Sequence, residues 1–369
     1  MLIVFFVFCL AVIITYLGNR SSFKKGLEIA FVLLAMFFSV RYNYGNDYMN
    51  YWNLFQRYAE CTSFRDLFDY FYSEDTLLLS EIGWGVINYL FKPLGFPCLV
   101  AALTFFELFI YYKMIKLYVS IEYQWLAVFI LVFSPQLFLI QLSMLRQALA
   151  IVLVIYATHL FISKKMIPAL ICVLCSTFFH KSSLYVVPIF SLWFLYKKIG
   201  KYSSIFLVLT FIALYLSQEQ LSDMYRSIFV MDNELVSAYS NYEARVESKG
   251  MTLGIGFLIS YIPFFLLIRI LWTGESNITT RFFSFFAALS FSLAPITYVE
   301  SLLGRFVYYF MIFRIIGIPY AYFSIKNTNL RIPLLIILIL ISIYGYYSFM
   351  TSPTWTESYS SYHTIFDLL

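Results

Sequence analysis

Apolar runs of roughly 15 to 20 residues, the length that carries a helix through or nearly through a bilayer core, dominate this chain. Polar residues gather in the short stretches between them. The runs fall at about 2–17, 26–41, 97–112, 125–142, 147–163, 166–180, 182–196, 203–217, 252–271, 282–299, 305–325 and 332–350. Only helices satisfy their own backbone groups in lipid without closing into a barrel. The pattern therefore predicts an all-α integral membrane protein with about twelve transmembrane helices, residues 1–369 forming one polytopic domain. The first run has no basic stretch before it and no small-residue cleavage site after it, so it is expected to remain as a span rather than be removed as a signal peptide.

Two polar connections are long, at 42–96 and 218–251. The first contains Asp66, Asp69, Glu74, Asp75 and Glu81 and ends in the apolar stretch Ile82–Phe91, too short to span. That stretch is predicted as an interfacial or re-entrant helix capped by Ser80. The second is amphipathic enough for a helix lying over the membrane surface.

Lysine and arginine set the orientation. One group of short loops holds Arg20, Lys24, Lys25, Lys113, Lys116, Lys164, Lys165, Lys197, Lys198, Lys201, Arg269, Arg281, Lys326 and Arg331. These are fourteen of the 25 basic residues, against three acids, Glu28, Glu122 and Glu275. This side is predicted cytoplasmic, which turns both long loops and both termini outward.

Composition agrees. The chain is 62% hydrophobic and 12% charged, whereas a soluble domain is roughly 45–50% apolar and 25% charged. A soluble enzyme and a disordered chain are both excluded. The net charge of +5 reflects sorting by membrane side and points to no nucleic-acid partner. Of the five cysteines, Cys172 and Cys175 form a CxxC inside an apolar run, where they read as small hydrophobes of a helix rather than a metal or redox site.

Polar residues at the outward ends of spans need an explanation, and they cluster in five places. Arg41-Tyr-Asn-Tyr-Gly-Asn-Asp-Tyr-Met-Asn-Tyr51 closes the second span, and Glu81-Ile-Gly-Trp-Gly85 opens the interfacial helix. Ser143-Met-Leu-Arg-Gln-Ala-Leu-Ala150, Phe179-His-Lys-Ser-Ser183 and Glu300-Ser-Leu-Leu-Gly-Arg305 lie between later spans. Arg41, Arg146 and Arg305 present the planar donor fork that suits phosphate, against the alternative of snorkelling to headgroups. His180, at the mouth of a span beside Ser182 and Ser183, is placed to take a proton or to bond a neighbouring carbonyl. Asp47 follows the Gly45-Asn46 turn and shares a helical face with Asn50 and Tyr51. It could orient a sugar hydroxyl, act as base, or pair with Arg41. Glu81, ahead of Gly83 and Gly85, could meet a ligand or complement a helix dipole. Tyr42, Tyr44, Tyr48, Tyr51, Tyr308 and Tyr309 could stack on sugar rings or belong to the aromatic belt. Deeper in the spans, His159 is expected to be packed or hydrogen-bonded. Glu107 and Arg314 need partners or water, and they are read as a structural ion pair, against the alternative of a transport path.

The five patches, in this order and spacing over most of the chain, resemble the EpsG-like, Wzy-type polysaccharide polymerases. The matching residues are Arg41…Gly45-x-Asp47-Tyr48-x-x-Tyr51, Glu81-x-Gly83, Arg146-Gln147-x-x-Ala150, His180-x-Ser182-Ser183, and Arg305 with Tyr308 and Tyr309. The resemblance implies a GT-C-like membrane glycosyltransferase of the bacterial cytoplasmic (inner) membrane, its active site facing the periplasm. It would join polyprenyl-pyrophosphate-linked oligosaccharide repeat units, with inversion, into O-antigen or exopolysaccharide. Arg41, Arg146 and Arg305 would hold the pyrophosphate and His180 or Asp47 would be the base. Glu81, Gln147, Tyr48, Tyr51, Glu300 and Tyr309 would line the substrate site. Its partners would be the lipid-linked substrate, membrane lipid and a chain-length regulator protein. No Asp-x-Asp, Walker loop, His-Glu-x-x-His or Gly-x-Ser-x-Gly occurs, so neither a metal nor a cofactor is expected, and arginine would neutralise the leaving pyrophosphate. A flippase or exporter of lipid-linked sugars, and a ligase handing polymer to a lipid core, are the competing readings.

Overall fold

The computed structural model describes residues 1–21, 24–73, 81–186, 191, 193–194, 199–230, 251, 253–274, 277–299 and 301–368. Among them the chain is almost wholly helical and divides into two compact units, Met1–Ile189 with Lys326–Leu369, and Phe190–Ile325.

The first unit begins with α1 (Leu2–Arg20) and α2 (Gly26–Ser39), followed by a two-residue strand β1 (Arg41–Tyr42). Gly18 and Gly26 let the two helices touch backbone to backbone. A Cβ on Gly18 would collide with the Gly26 Cα, and one on Gly26 would lie 2.5 Å from the Ile14 carbonyl oxygen. Small residues at such crossings serve membrane helices that must associate without a hydrophobic driving force. Two amphipathic helices follow, α3 (Tyr48–Glu60) and α4 (Phe64–Ser73), then α5 (Ile82–Phe91) and the long α6 (Phe96–Tyr118). The expected interfacial helix 82–91 is therefore present, while its expected cap Ser80 lies outside the described residues. The start of α4 is a capping box. The Ser63 hydroxyl accepts from the Asp66 amide at 3.1 Å, and the Asp66 carboxylate accepts from the Thr62 and Ser63 amides, both at 3.0 Å.

Next come α7 (Gln124–Phe133), the single turn α8 (Leu139–Ser143), α9 (Leu145–Ile162) and α10 (Met166–Phe179). The run expected as one span over 125–142 is broken at Ser134-Pro135. Proline lacks the donor that would continue the ladder. Apart from the exposed Gln136, the residues of the break from Pro135 to Phe138 are buried, which suits backbone that leaves the helical ladder in a membrane interior. The C-terminal helices Thr328–Thr351 and Pro353–Tyr359 return to this unit, and the strand β2 (His363–Thr364) pairs antiparallel with β1.

The second unit holds Ser203–Leu216 and Gln218–Val230, then Ile255–Ser260, Ile262–Thr273, Ile278–Ser292, Ala294–Val299, Ser301–Met311 and Arg314–Phe323. Its core is aromatic: Phe286 stacks on Phe310 at 5.9 Å and meets Phe313 at 5.4 Å. Helix 218–230 falls where a surface helix was expected, and most of 231–251 lies outside the described residues.

Among the described residues, five helices are long and apolar enough to cross a membrane: Leu2–Arg20, Phe96–Tyr118, Leu145–Ile162, Ile278–Tyr298 and Thr328–Thr351. Two bent pairs raise this to seven, Gly200–Leu216 with Gln218–Met224 at 64° and Gly304–Met311 with Arg314–Phe323 at 53°. Of the other expected spans, those near 26–41, 125–142, 166–180 and 252–271 contain apolar helices of 10–17 residues. A 14-residue helix rises about 21 Å, short of the roughly 30 Å hydrocarbon core. Much of the expected span 182–196 lies outside the described residues. Large apolar side chains such as Leu2, Ile3, Phe6, Ile336 and Leu340 are exposed on long helices, a surface that calls for lipid.

The deep polar residues find varied partners. Tyr118 Oη and His159 Nδ1 lie 2.9 Å apart. Glu107 and Arg314, expected as a pair, belong to different units. Arg314 donates from Nε to Ser290 at 2.7 Å and lies 3.7 Å over the Phe291 ring, while the charge acting on Glu107 is that of Arg41.

Candidate active site

After α2 the chain must reverse within a few residues. Asn43 and Gly45 do this with φ of 44° and 110°, values that favour Asn and Gly respectively. Gly45 is needed a second time for space, since a Cβ there would sit 2.8 Å from the Ser143 Cβ. The contact brings the Asp47 amide to the Ser143 hydroxyl at 3.0 Å, and Asp47 then stands just before α3. The C-terminal segment braces the turn from its other side. The Gly45 amide donates to the Ser358 carbonyl at 3.0 Å and the Ile365 amide to the Val40 carbonyl at 2.9 Å. Tyr362 stacks on Phe37 at 4.3 Å, and the Tyr44 ring packs against both Tyr359 and Tyr362. Tyr44 is thereby buried; Tyr48 is buried against Phe96 and Tyr51 against Trp84, and Tyr48 donates to the Arg41 carbonyl at 3.2 Å.

Arg41 points inward and is 1% exposed. Its Nη1 donates to the Phe38 carbonyl at 2.7 Å and the Thr104 hydroxyl at 2.5 Å, and its Nη2 to the Leu142 carbonyl at 3.1 Å. The guanidinium is committed to the protein interior.

The polar residues that converge are Glu81, Arg146 and His180. Glu81 stands at the start of α5, Arg146 in the first turn of α9, and His180 just past the end of α10. Gly83 makes the meeting possible. A Cβ on Gly83 would lie 3.0 Å from both the Cβ and the carbonyl oxygen of Phe178, so glycine lets α5 press on the last turn of α10 more closely than a larger residue would. One Glu81 carboxylate oxygen then meets His180 Nδ1 at 3.0 Å while the other accepts from Arg146 Nη1. Arg146 lies 5.5 Å from the Tyr51 ring centroid, Trp84 packs behind that ring at 5.2 Å, and the Asp47 charge also acts on Arg146. The side chains of Arg146, Glu81 and His180 are 29%, 15% and 15% exposed. They are therefore shielded from water but still reachable.

A cation and an imidazole sharing one carboxylate make a compact set for acid–base chemistry beside an anion. With Nδ1 assigned as the donor to Glu81, the ring's Nε2 is the basic position. Gln147, next to Arg146, is 2% exposed. Arg305 and Tyr309 belong to the second unit, where Arg305 is half-buried and Tyr309 buried. Glu300 lies outside the described residues. Ser143 and Trp84 fall within two of the polar patches but were given no role of their own, and Thr104, Tyr359 and Tyr362, which also support this end of the first unit, belong to no motif seen in the sequence; for the tyrosines no local pattern could have shown it. Among the described residues, no three His, Cys, Asp or Glu side chains come together as a metal-binding set.

The EpsG family model matches residues 27–364 of the chain. No curated protein and no solved structure matches it.

Proposed function

This chain belongs to the EpsG family of Wzy-type, exopolysaccharide-polymerase-like membrane proteins, and from that premise we propose a repeat-unit polymerase whose catalytic pair is Arg146 and His180. It joins polyprenyl-pyrophosphate-linked oligosaccharides at the periplasmic face of the inner membrane, by inverting, metal-independent glycosyl transfer into O-antigen or exopolysaccharide. The observation that carries the reading is the Glu81 carboxylate held between Arg146 and His180.

In the reaction, a sugar hydroxyl of the acceptor repeat unit attacks the anomeric carbon of the chain held on a second lipid pyrophosphate. The new glycosidic C–O bond forms as the bond from that carbon to the pyrophosphate oxygen breaks. His180 takes the hydroxyl proton, and the electron pair leaves on the pyrophosphate. Arg146 stabilises that charge. A guanidinium carries five donors, so one engaged with Glu81 retains others for phosphate. Glu81 fixes the imidazole in the tautomer whose Nε2 accepts the proton, the same orienting role a carboxylate plays in a hydrolase triad. Gln147 is proposed at the substrate and Asp47 as an electrostatic partner of Arg146, while pyrophosphate and substrate roles for Arg305, Glu300 and Tyr309 rest on the family resemblance alone. Arg41 acts from within the protein instead.

Purified protein with a defined lipid-linked repeat unit tests this. Arg146→Ala is expected to lower kcat on the order of 100- to 1,000-fold, as removal of a transition-state donor does, and His180→Ala at least 100-fold. Normal polymerisation by both variants would overturn the assignment. Transport of labelled substrate without chain growth would mark a flippase, and product carried on a lipid core would mark a ligase.

A further inference from the structure

The C-terminal helix Pro353–Tyr359 takes part in no step of this mechanism, yet its last residue reaches the segments that carry the site. Tyr359 is 0% exposed, and a buried phenol needs a partner for its hydroxyl. That hydroxyl donates to the Leu139 carbonyl, at the start of α8, at 3.2 Å and across 220 positions of the chain. The Tyr359 ring packs on Tyr44 at 5.3 Å and on Phe349 at 5.1 Å. The residue before it, Ser358, accepts from the Gly45 amide at 3.0 Å. Two adjacent residues therefore hold two separate segments, the turn through Tyr44 and Gly45, and α8 through Leu139.

Those two segments meet at Ser143. Gly45 packs against it with no room for a Cβ, and the Asp47 amide donates to its hydroxyl at 3.0 Å. From this junction the chain runs two ways. Asp47 leads into α3, which carries Tyr51, while α9 begins two residues after Ser143 and carries Arg146 in its first turn. The branches meet again where Arg146 lies 5.5 Å from the Tyr51 ring centroid. A single helical turn such as α8 is marginal by itself, so the junction depends on what holds it from outside. Tyr359 does so from both sides at once.

We propose that Tyr359 is a positioning residue for Arg146: by holding α8 at the Leu139 carbonyl and the turn at Tyr44, it fixes the junction at Ser143 from which Arg146 is aimed at the substrate. This inference rests on the reading of Arg146 as the pyrophosphate ligand. The Tyr359 hydroxyl is committed to a backbone carbonyl and is assigned no contact with substrate.

The test uses the full chain purified in detergent, with three readouts: thermal melting, hydrogen exchange of the amides in 138–150, and polymerisation kinetics. Tyr359→Phe removes the hydroxyl and keeps the ring. It is expected to raise exchange across 138–150 and to lower kcat on the order of 10-fold with a much smaller change in KM, the effect of a slightly displaced catalytic group. Ser143→Ala removes the acceptor of the Asp47 amide at the same junction and should act in the same way. In the double variant the two losses should not multiply, because residues that act through one contact are coupled. Tyr346→Phe is the control: its buried hydroxyl has no hydrogen-bond partner among the described residues, so exchange and kcat should match wild type. Wild-type exchange or wild-type kcat in Tyr359→Phe would overturn the proposal, and so would losses that multiply in the double variant. A fall in kcat that vanishes when rates are scaled to folded protein would overturn it as well, since Tyr359 would then serve stability alone. Failure of the polymerase reading looks different: Arg146→Ala would polymerise normally, whatever the exchange of 138–150 in Tyr359→Phe.

Discussion

Replacing Gly83 by alanine adds one methyl group at the point where α5 meets α10, and the geometry gives the size of the consequence. The new Cβ would lie 3.0 Å from the Phe178 Cβ, 3.0 Å from its carbonyl oxygen and 3.2 Å from its carbonyl carbon. Two of these three atoms are backbone, so rotation of a side chain cannot relieve the contact. Ordinary contact begins at 3.4 Å; the helices must therefore part by at least 3.4 − 3.0 = 0.4 Å. His180 follows Phe178 by two residues and Glu81 precedes Gly83 by two, so the separation acts directly on their bond. It would lengthen from 3.0 Å to about 3.4 Å, beyond the usual range for a hydrogen bond of this kind. The methyl group also has a favourable side, because alanine is a better helix residue than glycine by about 1 kcal/mol. Overpacking costs about 1–3 kcal/mol, which leaves a net destabilisation between about zero and 2 kcal/mol.

The expected signature of Gly83→Ala is thus a folded protein with a small drop in melting temperature and a kcat reduced on the order of 10- to 100-fold. Gly345→Ala is the control, since nothing lies within 4 Å of the added Cβ; it should keep wild-type kcat and, as a change inside the helix Thr328–Thr351, should melt no lower than wild type. Melting in detergent and single-substrate polymerisation rates decide the matter. Wild-type kcat in Gly83→Ala would refute the reasoning, because the Glu81–His180 bond would then not depend on the close approach of α5 to α10.

Other changes have equally direct readouts. Gly45→Ala forces a side chain into φ of 110°, at about 1–3 kcal/mol for the backbone alone, and drives a methyl group into Ser143; an unchanged melting temperature would contradict this. Tyr362→Ala removes the stack on Phe37 and the packing on Tyr44, and should cost on the order of 2 kcal/mol in thermal or denaturant unfolding. Asp66→Asn weakens the start of α4 while leaving polymerisation unchanged. The hydrogen bonds from Thr62 and Ser63 lower the Asp66 carboxyl from its ordinary value to about 2. Its contribution is therefore complete above the ordinary carboxylate range and fades as pH falls toward 2. Hydrogen exchange in α4 should separate the variant from wild type at pH 7, and the difference should narrow in acid.

The elements legible in the sequence were those with local causes. The Gly45-Asn46 turn announced a helix, and α3 begins at Tyr48 with Asp47 before it. The ten apolar residues after Glu81 form the short helix expected of them. Hydropathy also marked apolar helices near most of the expected spans, but it could not mark their lengths. Ser134-Pro135 divides one apolar run into α7 and α8, and a 53° bend divides another, 305–325, because continuous greasiness is compatible with a broken backbone wherever other protein supplies hydrogen bonds. Nor was the C-terminal brace visible. His363 and Thr364 make a strand only by pairing with Arg41 and Tyr42, and nothing in a two-residue pattern announces a partner more than three hundred positions away.

The three arginines show most clearly where local reading ends. In the sequence Arg41, Arg146 and Arg305 have the same credentials: a cation near a span end, beside polar and aromatic residues. What separates Arg41 from Arg146 is the position of the backbone carbonyls that the helix breaks leave unbonded. Near the break after α7, Leu142 is served by Arg41 and Leu139 by Tyr359, which donates at 3.2 Å. An arginine taken by such a carbonyl is spent inside the fold. Arg146 has a carboxylate for its partner and keeps part of its surface open, and that combination suits a group that must bind an anion and release it. The demand for backbone satisfaction in a membrane interior therefore divides labour between two residues that composition and spacing could not tell apart.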